Sequence, residues 1–318
     1  MSAPLPMQTW PRIGLGCAAL GVMGTPISDA AAREVIGTAW ERGIRLFDTA
    51  PLYGGGVSEQ RLGAALQGLP RDAYVLTTKT GVTRPYGQAA IAPGETRRRG
   101  ADVWDYSRAG TRASVAASLQ RLRTDRLDIV HLHDIEGRES ECMSAHAALL
   151  ELCAEGTVGG IGIGANDADA PLRLIGQARF DAVLMAGRYT LLDQSALTLF
   201  ERAGATGIRI VAGGLFNSGI LASGATRGAT FAYDPAPPAI VERVRQIEVA
   251  CLRHGVPLRA AALQFVAAHP AVSTLLLGPR SVAELEDSLA MLAHPVPAAL
   301  WAELRAARLI DSHAPLPK

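Results

Sequence analysis

Eight short apolar runs alternate with longer amphipathic ones along this chain, and no other feature restricts its fold as much. The apolar runs are 12–16, 44–49, 74–80, 127–133, 159–164, 182–187, 208–214 and 273–278. Helical patterns fill 29–43, 58–67, 110–122, 142–155, 168–177, 193–204, 238–254, 258–268 and 281–293. Asp29 is placed to cap the first helix and Gly43 to end it, while Ser58 is placed to open the second. Ser281, with Glu284 three residues on, has capping-box spacing at the last. Parallel strands need helical crossovers, and runs that are apolar on both faces fit a sheet covered on both sides. A closed barrel and an open doubly wound sheet both satisfy this. The turn after the first run, GLGCAALG (14–21), lacks the G-x-G-x-x-G spacing and the later acid of a dinucleotide-binding open sheet. Composition shifts nowhere. The expectation is one domain over 1–318, a (β/α)8 barrel of the TIM type.

The 31 basic and 30 acidic residues leave a formal net charge of +1, so no field of one sign exists to recruit nucleic acid or a membrane surface. The densest basic run, Arg97 to Arg99, reads as a solvated loop. Cys17, Cys142, Cys153 and Cys251 form no C-x-x-C pair and fit no zinc pattern, so no metal site is expected. Sparse cysteine suits a reducing compartment. The first 14 residues lack the pattern of a signal peptide, and no run reaches the ~18 apolar residues of a membrane span. A cytoplasmic location is expected. Two long connections, 81–107 and 214–237, read as active-site loops.

Barrel enzymes carry their chemistry at the C-terminal ends of the strands. There the second run ends in Asp48, the third brings Lys79, and the fourth brings His131 and His133; Tyr53 follows Asp48 by five residues. Each has an ordinary reading alone: a cap, a rim lysine, core histidines, a packed tyrosine. Together, on three successive strand ends, they point to a site. A nearby ammonium favours a phenolate, so Lys79 is expected to lower the Tyr53 pKa, with Asp48 holding Lys79 and His133 orienting a substrate oxygen. Tyr53 is then a general acid for carbonyl reduction or a general base for alcohol oxidation. Hydride itself requires a cofactor.

The motifs RLFDTAPLYGGGVSEQRLGAAL (45–66), VLTTKTG (75–81), LDIVHLHD (127–134), GGIGIGAN (159–166) and LLLGPRSVAELEDSL (275–289) resemble those of the aldo-keto reductase family, in order and over nearly the whole chain. The resemblance implies a (β/α)8 barrel with an N-terminal β-hairpin, here within 1–13. It implies a catalytic tetrad of Asp48, Tyr53, Lys79 and His133. His133 is chosen over His131 because the family's histidine falls five residues after the aspartate of the L-D motif, Asp128. The carboxamide of the cofactor would meet Asn166, without the family's usual preceding serine. A glutamine usual on strand six is Ala186, and the aromatic usual against the nicotinamide after strand seven is Gly213. Gly214, Leu215, Asn217 and Ser218 would lie over the pyrophosphate.

AGRYTLLDQ (186–194) with AGGLFNSGIL (212–221) is similar to one branch of that family, the D-threo-aldose (L-fucose) 1-dehydrogenases and pyridoxal 4-dehydrogenases. This implies oxidation of a cyclic hemiacetal to a lactone with NAD. Gly278, Arg280 and the helix start at Ser281 would approach phosphate, with Ser288 one turn beyond Glu284. Glu284, where an arginine often meets the 2′-phosphate, favours NAD; Arg280 keeps NADP open. Trp104 and Asp134 are candidate sugar contacts, and Cys17 is either a pocket wall or, as its size and polarity favour, a small buried apolar residue. The small-molecule partner is a sugar or aldehyde. Three other readings use the same residues. One is an NADPH-dependent aldehyde or ketone reductase. Another is a Schiff-base aldolase built on Lys79, in which Tyr53 has no role. The third is a non-catalytic cofactor-binding subunit.

Overall fold

The computed structural model describes residues 10–21, 27–83 and 102–317. Eight strands form the barrel: β1 (Ile13–Gly16), β2 (Leu46–Asp48), β3 (Val75–Thr80), β4 (Ile129–His133), β5 (Ile161–Ala165), β6 (Ala182–Ala186), β7 (Arg209–Gly213) and β8 (Val272–Leu277). Neighbours in sequence pair in parallel all the way round, and β8 returns to β1, so the sheet closes. The helices are α1 (Asp29–Glu41), α2 (Val57–Leu66), α3 (Arg108–Leu122), α4 (Glu139–Ala154), α5 (Asp169–Leu174), α6 (Leu197–Thr206), α7 (Ile220–Ser223), α8 (Pro238–Arg253), α9 (Leu258–Ala267), α10 (Val282–Ala293) and α11 (Ala298–Ala306). No described helix is long and apolar enough to cross a membrane.

Alternation along the strands divides the core in two. Leu15, Phe47, Leu76, Val130, Ile163, Val183 and Ile210 face outward and pack under the helices. Leu46, Val75, Leu184, Val211 and Leu276 form a separate cluster inside the barrel, joined by Trp10. Trp10 closes the N-terminal end: the guanidinium of Arg209, at the start of β7, lies 4.5 Å from its ring centroid. One end of the cylinder is thus filled with apolar side chains, and polar residues are left to the other.

Two expected caps differ. The α1 cap is Ser28, whose side chain accepts from Ala31 N, and Asp29 is the first helical residue. Helix α2 starts at Val57 after Gly56 (φ 100°), with no side-chain cap. Ser58 is buried instead: its hydroxyl donates to Cys17 O (2.7 Å) and accepts from Thr49 (2.8 Å), stitching β1, β2 and α2 together. Ser281 caps α10 as expected. Helix α11 follows Pro297 and buries Leu300, Trp301 and Leu304. The N-terminal hairpin falls largely on 1–9, and most of the 81–107 loop on 84–101, outside the described residues.

Candidate active site

Lys79 comes up the inside of β3, Asp48 ends β2, and their side chains meet. The ammonium donates to Asp48 Oδ2 (2.6 Å) and to Thr49 O (2.8 Å), and Thr77 Oγ1 donates to Asp48 Oδ1 (2.7 Å). Both charges are buried, at 2% exposure each. A buried pair is stable only with its remaining hydrogen-bonding capacity filled, and Thr49 and Thr77 do this.

Tyr53 sits over this pair. Lys79 Nζ lies 4.8 Å from the Tyr53 ring centroid, and the His133 imidazole stands edge-on to the ring at 5.8 Å. The four groups read from the sequence therefore share one mouth. Its placement begins in PLYGGG: Gly54, Gly55 and Gly56 all have left-handed backbone (φ 64°, 63° and 100°). A Cβ at Gly54 would lie 2.3 Å from Gly21 O, so the loop carrying Tyr53 is pressed against the β1 loop, an approach that requires glycine. Behind the loop, buried Glu59 accepts from Thr78 (2.7 Å) and Arg121 (2.6 Å), tying α2 to β3 and α3.

His131 lies deeper. It is fully buried, and a Cβ at Gly162 would fall 2.2 Å from its ring, so the glycine of β5 makes its space. Burial holds it neutral, with its pKa lowered to about 4. His133, beside Tyr53, is the histidine at the mouth.

The expected lowering of the Tyr53 pKa is overturned. Burial first, then the charge of Asp48, hold the phenol well above its ordinary value. Burial outweighs any help from the Lys79 ammonium, whose field is opposed by the Asp48 carboxylate 2.6 Å from it. Tyr53 rests as the neutral phenol.

Beside this centre lies a cleft of about 260 Å³ lined by Ala186, Gly187, Gly214, Ser218 and Tyr233, with Asn166, Glu136 and Arg188 among its polar walls. Asn166 is clamped: its carboxamide donates to Asp134 Oδ1 (2.7 Å), its N–H to Glu136, and its carbonyl accepts from Arg188 (2.5 Å). Asp134, left-handed at φ 52°, has Oδ1 3.7 Å from His133 Nε2 and links the cleft to the tetrad. Tyr106 supports both residues, donating to His133 O (2.5 Å) and Asp134 O (3.2 Å).

The floor of the cleft is backbone. A Cβ at Gly214 (φ 62°) would lie 2.8 Å from Gly187 N. Gly16, Gly164 and Gly213 leave the mouth above it without side chains, and Gly278 lies open beside Gly16. Such a slot suits a flat ring and its ribose. Further along, Arg280 is paired with Glu284 (2.8 Å), whose carboxylate also accepts from Arg280 N, and Ser288 donates to Glu284 O (2.8 Å).

Other expected contacts sit differently. Cys17 faces the helices with Leu15 and is fully buried, because alternation turns it away from the barrel interior. Leu215 packs in the same core, so only its backbone is available to a ligand. Asn217 lines the cleft, but its carboxamide accepts from Thr190 (2.5 Å) and donates to Gly187 O (3.0 Å), bracing the turn. Trp104 packs with Ala50, Leu52, Val82 and Tyr53 at the rim, the Arg138 guanidinium 4.6 Å from its ring. Glu136, Arg188, Tyr106 and Tyr233 were not read from the sequence. Arg188 lies within the AGRYTLLDQ motif without being singled out there, Glu136 and Tyr106 belong to no quoted motif, and only the length of the 214–237 connection hinted at Tyr233.

The family model described as the aldo/keto reductase family matches residues 12–308. D-threo-aldose 1-dehydrogenase from a Pseudomonas species is 41% identical, covering 95% of this chain and 95% of its own length. Pyridoxal 4-dehydrogenase from Microbacterium luteolum is 34% identical, covering 94% of each. An aldo-keto reductase from Bacillus halodurans, solved in its holo form, superposes with a TM-score of 0.73 over 96% of this chain and 94% of its own, at 24% identity. Aldo-keto reductases use nicotinamide cofactors, and the glycine-floored cleft beside Tyr53 has the form such a group needs. The chain belongs to the aldo/keto reductase family and is an oxidoreductase enzyme.

Proposed function

We propose that this enzyme oxidises the C1 hydroxyl of a cyclic aldose, of the L-fucose or D-threo type, to the lactone with NAD. Tyr53 exchanges the proton, Lys79 and Asp48 set its electrostatic surroundings, and His133 orients the sugar oxygen. The observation that carries this is the Tyr53 ring between the Lys79 ammonium (4.8 Å) and the His133 edge (5.8 Å), beside a cleft without side chains on its floor. In the forward direction the hydroxyl proton passes to the Tyr53 oxygen as the C1 hydrogen leaves with its electron pair. The oxidised nicotinamide, when bound, supplies the hydride acceptor and a positive charge that favours the phenolate.

Asp134 and Glu136 place carboxylates near the cleft, suited to accept from sugar hydroxyls, and Trp104 gives the rim an apolar wall. Likeness to an aldose 1-dehydrogenase over nearly the whole chain supports the substrate class. NAD is favoured over NADP because Glu284 already neutralises Arg280 and would itself repel a 2′-phosphate.

A panel of aldoses, pyridoxal and simple aldehydes, followed by nicotinamide absorbance with both cofactors, tests the reading. The highest kcat/KM is expected for a D-threo aldose with NAD. A simple aldehyde reduced best with NADPH would overturn it. In Glu284→Gln the freed Arg280 should raise kcat/KM for NADP by about tenfold, the worth of one charge-assisted contact.

A further inference from the structure

The strand that ends at Gly213 offers no side chain to the mouth, yet the cleft below it has an aromatic wall brought from elsewhere in the chain. After Gly214 the chain runs through α7 and returns as a two-stranded hairpin, Thr230–Phe231 paired antiparallel with Asp234–Pro235. Its two turn residues are Ala232 (φ 50°) and Tyr233 (φ 70°), both left-handed. Tight hairpin turns of this hand normally take Asn-Gly. Glycine would make the turn without strain, so a tyrosine there is held against a backbone cost. Strain held in this way clusters at ligand sites. Core packing does not account for it, since Tyr233 is 42% exposed.

The hairpin is fastened over the cleft. Tyr233 N donates to Ser218 Oγ (2.8 Å) and Thr230 Oγ1 donates to Ser218 O (2.9 Å). Among the described residues that line the cleft, Tyr233 is the single aromatic one; the others are small or polar. It also reaches Tyr53 electrostatically, as one of the groups that raise the pKa of that phenol.

We propose that Tyr233 is the surface against which the nicotinamide ring packs in this enzyme, supplied by the loop hairpin and not by the end of β7. The inference rests on the reading that the cleft takes a nicotinamide cofactor. It makes the hairpin part of the redox pocket, distinct from the segments that would hold the diphosphate.

Calorimetric titration of the wild type, Tyr233→Ala and Tyr233→Phe with NAD and with ADP-ribose separates these contributions, because ADP-ribose keeps the diphosphate and both riboses but lacks the nicotinamide. Tyr233→Ala is expected to weaken NAD by about 3- to 10-fold, the range for one aromatic stacking contact, with ADP-ribose unchanged. Tyr233→Phe should match the wild type for both ligands and shows that the hairpin stays in place. Equal losses for NAD and ADP-ribose, or no loss for NAD, would overturn the assignment of the ring to Tyr233. Wild-type enzyme that bound neither NAD nor NADP would instead sink the cofactor reading beneath it.

Discussion

The two sides of the barrel mouth are built by opposite rules. On the arc from β2 to β4 the inward positions at the mouth carry buried polar side chains, Asp48, Thr77, Lys79, His131 and His133, and the first three are joined by short hydrogen bonds. On the opposite side β5, β6, β7 and β1 end inward in Gly164, Ala186, Gly213 and Gly16, which are small or carry no side chain. In the function proposed above, the first arc does chemistry and the second makes room. Removing atoms should therefore damage the first arc and spare ligand binding, while adding atoms should damage the second by way of binding.

Tyr53→Phe tests the first half and carries the largest expected effect. Deleting the acid–base oxygen should lower kcat by about 10²–10⁴-fold with cofactor Kd nearly unchanged. A mutant that lost binding and kept turnover would reverse the roles of the two arcs. Gly214→Ala tests the second half. Its Cβ would lie 2.8 Å from Gly187 N on a backbone at φ 62°, so the floor must shift. Cofactor Kd should rise because the floor moves, and folding stability should drop by about 1–2 kcal/mol, the cost of left-handed backbone to an alanine. Gly213→Ala, with 3.5 Å to the nearest atom, should change Kd far less, which separates the effect of crowding from that of substitution itself.

The state of Tyr53 gives a prediction of sign. Its pKa is raised, by burial first and Asp48 second. Sugar oxidation needs the phenolate, so its rate should climb as pH rises towards the alkaline range. Aldehyde reduction needs the phenol and should fall over the same range. Asp48→Asn removes one raising charge and leaves the Lys79 ammonium unneutralised, and both changes favour the phenolate. The oxidation profile should move to lower pH. A move to higher pH would show that Lys79 surrenders its proton once its partner is gone.

How much of this was legible in the sequence follows from the range of the interactions concerned. Strand positions and the convergence of Asp48, Tyr53, Lys79 and His133 could be read because both depend on local periodicity and on the closed topology it implies, while the choice of His133 over His131 came from the family resemblance. Caps were less legible, because Ser28 and Asp29 are adjacent and equally able; the choice between them is made by the entry angle of the chain. Ser58 looked like a helix start until β1 and β2 were brought to its hydroxyl. Cys17, open between a pocket wall and a small buried role, was decided for the second by the strand alternation. The sign of the Tyr53 shift could not be read at all, since it is set first by how deeply the fold buries the phenol and only then by Asp48, both matters of tertiary packing. Tyr233, Glu136 and Arg188 reach the cleft through loops, which carry no period.

Tyr106 gives the finest division of the charged arc, because one atom can be removed from its support without touching any group in contact with a substrate. The ring fills a slot that exists only because residue 81 is glycine; a Cβ there would lie 2.1 Å from it. The hydroxyl reaches two consecutive carbonyls, those of His133 and the left-handed Asp134, and fixes the backbone from which the imidazole and the cleft carboxylate both project. Tyr106→Phe keeps the ring and deletes that donor in a buried setting, so folding stability should drop by about 1–3 kcal/mol, read as a lower denaturant midpoint. If the charged arc positions substrate while the glycine arc holds cofactor, KM for the sugar should rise by a few-fold, cofactor Kd should stay put, and kcat should change least. A rise in cofactor Kd equal to that in sugar KM would mean that the two arcs are mechanically one, coupled through Asp134 and Asn166.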